Sequence, residues 1–188
     1  PNPVDRAFEA ARRAVALDAT SQWARHALAF AYFYRQDLDA FFAESERAIA
    51  LNPNNATVLA AAGRVLHIAG DERGVALVRK AMKLDPFHPT WFNFTPAYYH
   101  FQRREYEEAL AAARKIDTPG VFWTPAYLAA IYGELGRERE ARSALEELLR
   151  LYPGFTAEKL TEEWRKANYP DASIRQWVSA LRKAGLPE

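Results

Sequence analysis

The sequence has no cysteine, one methionine and only eight glycines in 188 residues. Without cysteine there is no disulfide, no thiolate nucleophile and no cysteine-type zinc site. A reducing compartment tolerates such a chain, and a cytoplasmic location is the expectation. Neither sign of charge dominates: 25 Lys and Arg stand against 24 Asp and Glu, a net charge of +1. Composition therefore gives no argument for a nucleic-acid or anionic-membrane partner. No apolar run approaches the ~20 residues of a membrane span. No stretch alternates apolar and polar residues with period two, so no strands are expected. Enzyme signatures are missing as well. Gly-x-Ser-x-Gly does not occur, and "GDERG" (70–74) lacks the Lys-Ser/Thr of a phosphate loop. The pairs Glu107–Glu108, Glu146–Glu147 and Glu162–Glu163 lie among Lys and Arg, the pattern of solvated helix faces. No catalytic residue, cofactor or metal is expected in this chain. It begins at Pro1 without methionine, so a fragment or a processed form is expected.

What is present is helix. Half of the residues (49%) are hydrophobic and 13% are aromatic, a globular composition. Apolar residues recur at spacings of three and four in "FEAARRAVAL", "FFAESERAIAL", "GVALVRKAMKL", "EEALAAARKI" and "REARSALEELLRL". Breakers punctuate the pattern at "NPNN" (52–55), "DPFHP" (85–89), "DTPG" (117–120) and "YPGF" (152–155). Pro53 to Pro86 is 33 residues, and Pro86 to Pro153 is 67, two intervals averaging 33.5. Similar helix ends precede three of these breakers: "RAIALNP", "KAMKLDP" and "ELLRLYP".

A period near 34 with a helix–turn–helix unit resembles the tetratricopeptide repeat. Segments 22–55, 56–88, 89–121 and 122–155 resemble four such repeats, and residues 4–21 a partial earlier one. Segment 122–155 matches best, with Leu128, Tyr132, Gly136, Ala141, Leu145, Leu148 and Pro153 at the family's packing positions. The resemblance implies an all-α fold, a right-handed α-solenoid of about four helical hairpins. Ala48, Ala81, Ala109 and Ala141 would allow close helix packing. Residues 156–188 read as two capping helices of the same domain, with Asp171 as N-cap and Gly185 as stop. The ending "LRKAGLPE" also resembles the C-terminus of bacterial signalling proteins that carry such repeats behind a class III cyclase or winged-helix domain.

The resemblance implies that the first helix of each repeat lines a concave face. The candidate groove residues are Trp23, His26, Phe30 and Tyr34; Arg64 and His67; Asn93, Phe94, His100 and Phe101; and Trp123 and Tyr127. Aromatic anchors dominate interface energies, so the expected function is binding of a protein or peptide segment in that groove. The competing reading has these aromatics filling space between paired helices or meeting the capping helices. A homo-oligomerisation domain, pairing through the aromatic face or through Trp164 and Trp177, is a second function. A small-ligand-sensing accessory domain is a third. The Lys and Asn pairs with which some family members grip a carboxylate are absent. His67 and His100, 33 residues apart, are two ligands without a matching carboxylate, poor for zinc.

The tetrapeptide Thr-Pro-Ala-Tyr occurs at 95–98 and 124–127. Its offset, 29, is not the repeat period. Thr124 is expected to cap the helix containing Pro125, which falls in that helix's first turn. Pro96 falls about a turn later in its repeat. A kink near Phe92–Pro96, or a helix starting only at Pro96, is expected.

Overall fold

The computed structural model describes residues 2–187 and contains, among them, no strand. Pro1 and Glu188, which end the segments 1–155 and 156–188, lie outside the described residues. The helices are α1 (Pro3–Leu17), α2 (Gln22–Tyr34), α3 (Leu38–Leu51), α4 (Ala56–Ile68), α5 (Arg73–Leu84), α6 (Phe94–Gln102), α7 (Tyr106–Ala113), α8 (Trp123–Glu134), α9 (Glu138–Leu151), α10 (Ala157–Lys166) and α11 (Asp171–Lys183). None of these is long and apolar enough to cross a membrane. The chain divides into two compact units. The first runs to His67 and continues over Asp71–His88; the second holds Ile68–Gly70 and the chain from Pro89 onward.

One turn geometry recurs. Gln36, Gly70, Arg104, Gly136 and Asn168 all have positive φ, between 59° and 89°. The next backbone N–H in each case donates to the carbonyl five residues back: Asp37 to Tyr32 (3.0 Å), Asp71 to Leu66 (2.9 Å), Glu105 to His100 (2.9 Å), Arg137 to Tyr132 (3.0 Å) and Tyr169 to Trp164 (2.9 Å). This is the Schellman ending, which satisfies carbonyls that a helix terminus leaves bare. The five turns lie 34, 34, 32 and 32 residues apart, from 36 through 70, 104 and 136 to 168. Thus α10–α11, expected as two capping helices, forms a fifth hairpin with the same turn. Three of the five positions are not glycine, although a left-handed backbone costs other residues roughly 1–2 kcal/mol. Arg104→Gly should therefore raise stability by up to about 1 kcal/mol after the entropy glycine adds to the unfolded chain. A urea midpoint that stays put or falls would contradict this.

In the first unit α1 packs on α2 through Phe8, Ala11, Leu28 and Ala31. Gln22 opens α2 and ties three elements together. Its side-chain N–H groups donate to the Ala48 and Asn52 carbonyls (2.8 and 2.9 Å), and its oxygen accepts from Asn55 Nδ2 at 2.8 Å. The Asn55 side-chain oxygen in turn accepts from Val58 N–H, capping α4. Ala48, Ala81, Ala109 and Ala141 are at most 1% exposed, as their packing role requires.

The chain around Pro96 is irregular as expected. A 3-10 turn over Thr90–Asn93 precedes α6, which starts at Phe94. Pro96 is thereby the third residue of α6, and Pro125 the third of α8. The first turn needs no N–H donors, so proline costs nothing there. The two tetrapeptides are out of phase with the repeat yet hold the same place in their own helices. Two cap assignments change. Phe122, not Thr124, is the N-cap of α8, and Thr124 Oγ1 shares a 2.6 Å hydrogen bond with Thr118 Oγ1. Pro170, not Asp171, is the N-cap of α11: its backbone is extended (ψ 142°), and Asp171 is already the first helical residue. Gly185, with φ 101°, does stop α11.

Candidate functional site

Positions counted back from each positive-φ turn residue place the first helices in register. Thirteen, ten, six and two residues before it stand Trp23, His26, Phe30 and Tyr34 in α2. The same places hold Trp91, Phe94, Tyr98 and Gln102 in and before α6, and Trp123, Ala126, Ala130 and Glu134 in α8.

In the first unit these side chains form a continuous ladder of rings along α2. Trp23 and His26 are 5.7 Å apart, His26 and Phe30 4.9 Å, Phe30 and Phe33 6.1 Å, and Phe33 and Tyr34 5.4 Å. The opposite face of α2, with Ala24, Leu28, Ala29 and Ala31, is buried. Phe33 and Phe41, which meet Phe30, anchor the ladder from below. Trp23 is 56% and Tyr34 63% exposed, and His26 and Phe30 are half-buried. The ladder spans twelve residues, Trp23 to Tyr34, roughly 16 Å of helix at 1.5 Å per residue. In α4, Arg64 occupies the place that Phe30 holds in α2, and His67 that of Phe33. Burial lowers the pKa of His26, and that of His67 to about 4, so both imidazoles are neutral near pH 7.

In the second unit the same places are covered by the fifth hairpin. Trp177 of α11 lies 4.0 Å from Phe101 and 4.4 Å from Tyr127, ring centroid to centroid, and 5.2 Å from Trp164 of α10. Trp164 also meets Trp123 at 6.0 Å. Polar contacts complete the seat. Gln176 Nε2 donates to the Phe101 carbonyl (3.0 Å), Gln102 Nε2 to Ser173 Oγ (3.1 Å), and Lys183 Nζ to Glu134 Oε2 (2.7 Å). Gly133 lets α11 come close: a Cβ there would stand 2.8 Å from the Ala180 carbonyl oxygen. Burial pushes the Tyr98 phenol up, with the neighbouring Ser173 hydroxyl opposing it.

The twelve sequence-based candidates therefore separate. Trp23, His26, Phe30 and Tyr34 share one partly exposed face. Arg64 and His67 lie in α4 of the same unit and are half-buried. Asn93, Phe94, Phe101 and Tyr127 are at most 6% exposed, and Trp123 is half-buried against Trp164. The first four are core of the second unit and present nothing to a partner while the fifth hairpin is seated, and Trp123 presents only the part of its ring that Trp164 leaves uncovered. Trp164 and Trp177 are each 1% exposed and packed within their own chain, so they are unavailable for pairing with another copy. His100 turns its Nδ1 to Glu105 at 2.7 Å and holds that carboxyl below its usual range, with Arg103 assisting. It precedes its turn by four residues, whereas His67 precedes its own by three, so the two histidines are not equivalent. Tyr98 and Gln102, which do face α11, were not among the candidates. A proline-based count cannot find them, because the turn at Arg104 carries no glycine to mark it.

No family model matches the sequence, and no curated protein matches it. Among solved structures the chain is similar to PilW, described as a widely conserved type IV pilus biogenesis factor. The two share 18% identity over 96% of this chain and 82% of that one, with a TM-score of 0.70. At that identity the likeness establishes the fold: all-α, of the tetratricopeptide-like helical solenoid class.

Proposed function

We propose that the chain is a protein-interaction module whose first unit binds an amphipathic helix along the ring ladder of α2 and the adjoining face of α4. One observation carries this reading. The second unit seats such a helix, α11, on the equivalent places of α6 and α8, while Trp23 and Tyr34 of α2 stay 56% and 63% exposed. Helix-in-groove binding uses apolar anchors on successive turns, and the ladder offers them to such a helix. Arg64 stands where α8 has Ala130, so the two faces differ midway along their length.

A library of displayed helical peptides, selected against the whole chain, tests the proposal. Selected peptides should lose about thirtyfold in affinity for the Trp23→Ala/Tyr34→Ala double variant. The variant's thermal midpoint should barely move, because both side chains are mostly solvent-exposed. Binders indifferent to both substitutions would overturn the assignment. As part of the same reading, the chain is the C-terminal regulatory part of a larger cytoplasmic signalling protein. Its similarity to a type IV pilus biogenesis factor sets pilus biogenesis beside that context. The residues preceding Pro1 decide: a cyclase or winged-helix domain supports the signalling context, and any other domain refutes it.

A further inference from the structure

In the first unit α3 and α5 flank a groove of about 500 Å³. Its walls are apolar: Phe42 and Ile49 of α3, Leu77 of α5, and Leu66 of α4. A mostly apolar space of this size with a few polar groups is typical of a small-molecule site. The polar groups narrow the choice of molecule.

Two of them are committed to each other. Arg73 of α5 lies 3.8 Å from Glu46 of α3 and is also held by Asp71 at 2.7 Å. Lys80, also on α5, pairs with no carboxylate among the described residues. One of its N–H groups donates to the Pro53 carbonyl at 2.7 Å, which leaves its charge uncompensated and two donors unused.

Ser45 is the residue that the fold does not account for. A serine inside a helix ordinarily turns to solvent or donates to the carbonyl four residues back. Thr161 of α10 makes the corresponding bond, to the Ala157 carbonyl at 2.8 Å. Ser45 does neither. It is 5% exposed and lines the groove, and its hydroxyl has no hydrogen-bond partner among the described residues. A hydroxyl buried in that way costs free energy that a ligand's polar atom would recover.

We infer that this groove binds an aliphatic carboxylic acid that carries a hydroxyl group at its far end. The walls take the chain, Lys80 takes the carboxylate, and Ser45 exchanges a hydrogen bond with the hydroxyl. Ser45 lies six residues, roughly 9 Å, before the end of α3 at Leu51, and Lys80 is anchored just beyond that end, at Pro53. A chain of about six to eight carbons bridges such a span, because an extended chain gains about 1.2 Å per bond. A plain fatty acid would leave Ser45 without a partner, and a diacid would find only one uncompensated cation. The inference is independent of the groove on α2.

The test is calorimetric titration of the whole chain with ω-hydroxyoctanoate and with octanoate. One hydroxy acid should bind per chain, about fivefold more tightly than octanoate, although it is the more water-soluble of the two. Ser45→Ala, which puts a good helix former into α3, should remove or reverse that preference. Lys80→Gln should cost both acids about fivefold or more, and the methyl ester should bind the original chain and Lys80→Gln alike. ω-Hydroxybutanoate, too short to reach both groups, should bind at least about tenfold more weakly. Trp23→Ala should change nothing, and a loss there would place the acid on the α2 face and overturn the inference. So would absence of saturable binding, a preference that survives Ser45→Ala, or indifference to Lys80→Gln. Phe87, 96% exposed on the loop after α5, is the apolar group that a second copy would insert. Self-association that shifts the groove amides and is abolished by Phe87→Ser would give the groove to that copy, and would also overturn the inference.

Discussion

Trp177→Ala should destabilise the second unit by about 3–5 kcal/mol, the usual loss when a fully buried aromatic is truncated. Trp177 is 1% exposed and stands at the centre of a ring cluster that joins α6, α8, α10 and α11. Removing it leaves Tyr98, Phe101 and Tyr127 facing a void that the α6 and α8 backbones cannot close. Four of the five tryptophans, Trp91, Trp123, Trp164 and Trp177, belong to this unit, so fluorescence-detected urea unfolding reports on it. Trp177→Phe separates packing from polarity. The buried indole N–H has no acceptor among the described residues, and an unsatisfied buried donor costs free energy. The phenylalanine variant should therefore lose much less than the alanine variant. Equal losses would mean that the ring contacts do not hold α11 in its seat. Limited proteolysis of the alanine variant should also cut within residues 156–187 first.

Gly74→Ala should also destabilise the first unit, although alanine is favoured over glycine inside a helix by about 1 kcal/mol. Gly63 of α4 and Gly74 of α5 face each other, and both are buried. A Cβ on Gly74 would overlap the Gly63 carbonyl oxygen and the His67 backbone nitrogen. A Cβ on Gly63 would come within 2.6 Å of the Gly74 carbonyl oxygen. All three obstructing atoms are backbone, so no rotamer change relieves the clash and the two helices must part. Overpacking of this kind costs about 1–3 kcal/mol, and the upper end is expected here, net of the propensity gain. A thermal midpoint raised by Gly74→Ala would show that propensity wins and that the close approach of α4 and α5 is not a constraint. Gly63→Ala should act in the same direction, and the double variant should lose less than the sum of the two, because the helices need part only once.

Much of the fold was legible because helix periodicity and proline punctuation act locally. The helices of 22–55, 56–88 and 122–155 lie where apolar spacing puts them, and the packing alanines are buried. What escaped the sequence is set by tertiary packing and by turns without glycine. Gln36, Arg104 and Asn168 adopt a conformation that composition associates with glycine, so the turn intervals of 34, 34, 32 and 32 could not be read. Around Pro96 the candidate face was incomplete: Phe101 does meet α11, but Tyr98 and Gln102, which also face it, were not chosen, and no hydrogen bond or ring contact joins Asn93 or His100 to α11 among the described residues. Residues 156–187 read as helices, but nothing in their amphipathic pattern says which apolar face receives Trp164 and Trp177. That seat also decides why Phe94 and Tyr127 are core while Trp23 and Tyr34, on the matching helix of the first unit, are exposed.

The most direct test of the account is amide chemical-shift mapping of the whole chain with the tightest peptide from the helical library. The α2 and α4 face predicts perturbations over Trp23–Tyr34 and Thr57–His67, with amides of α6, α8 and α11 unchanged. Perturbations centred on α6 and α8, with loss of the α11 signals from their seated positions, would contradict it: the peptide would then have displaced the chain's own helix, and the exposed ladder on α2 would not be the binding site.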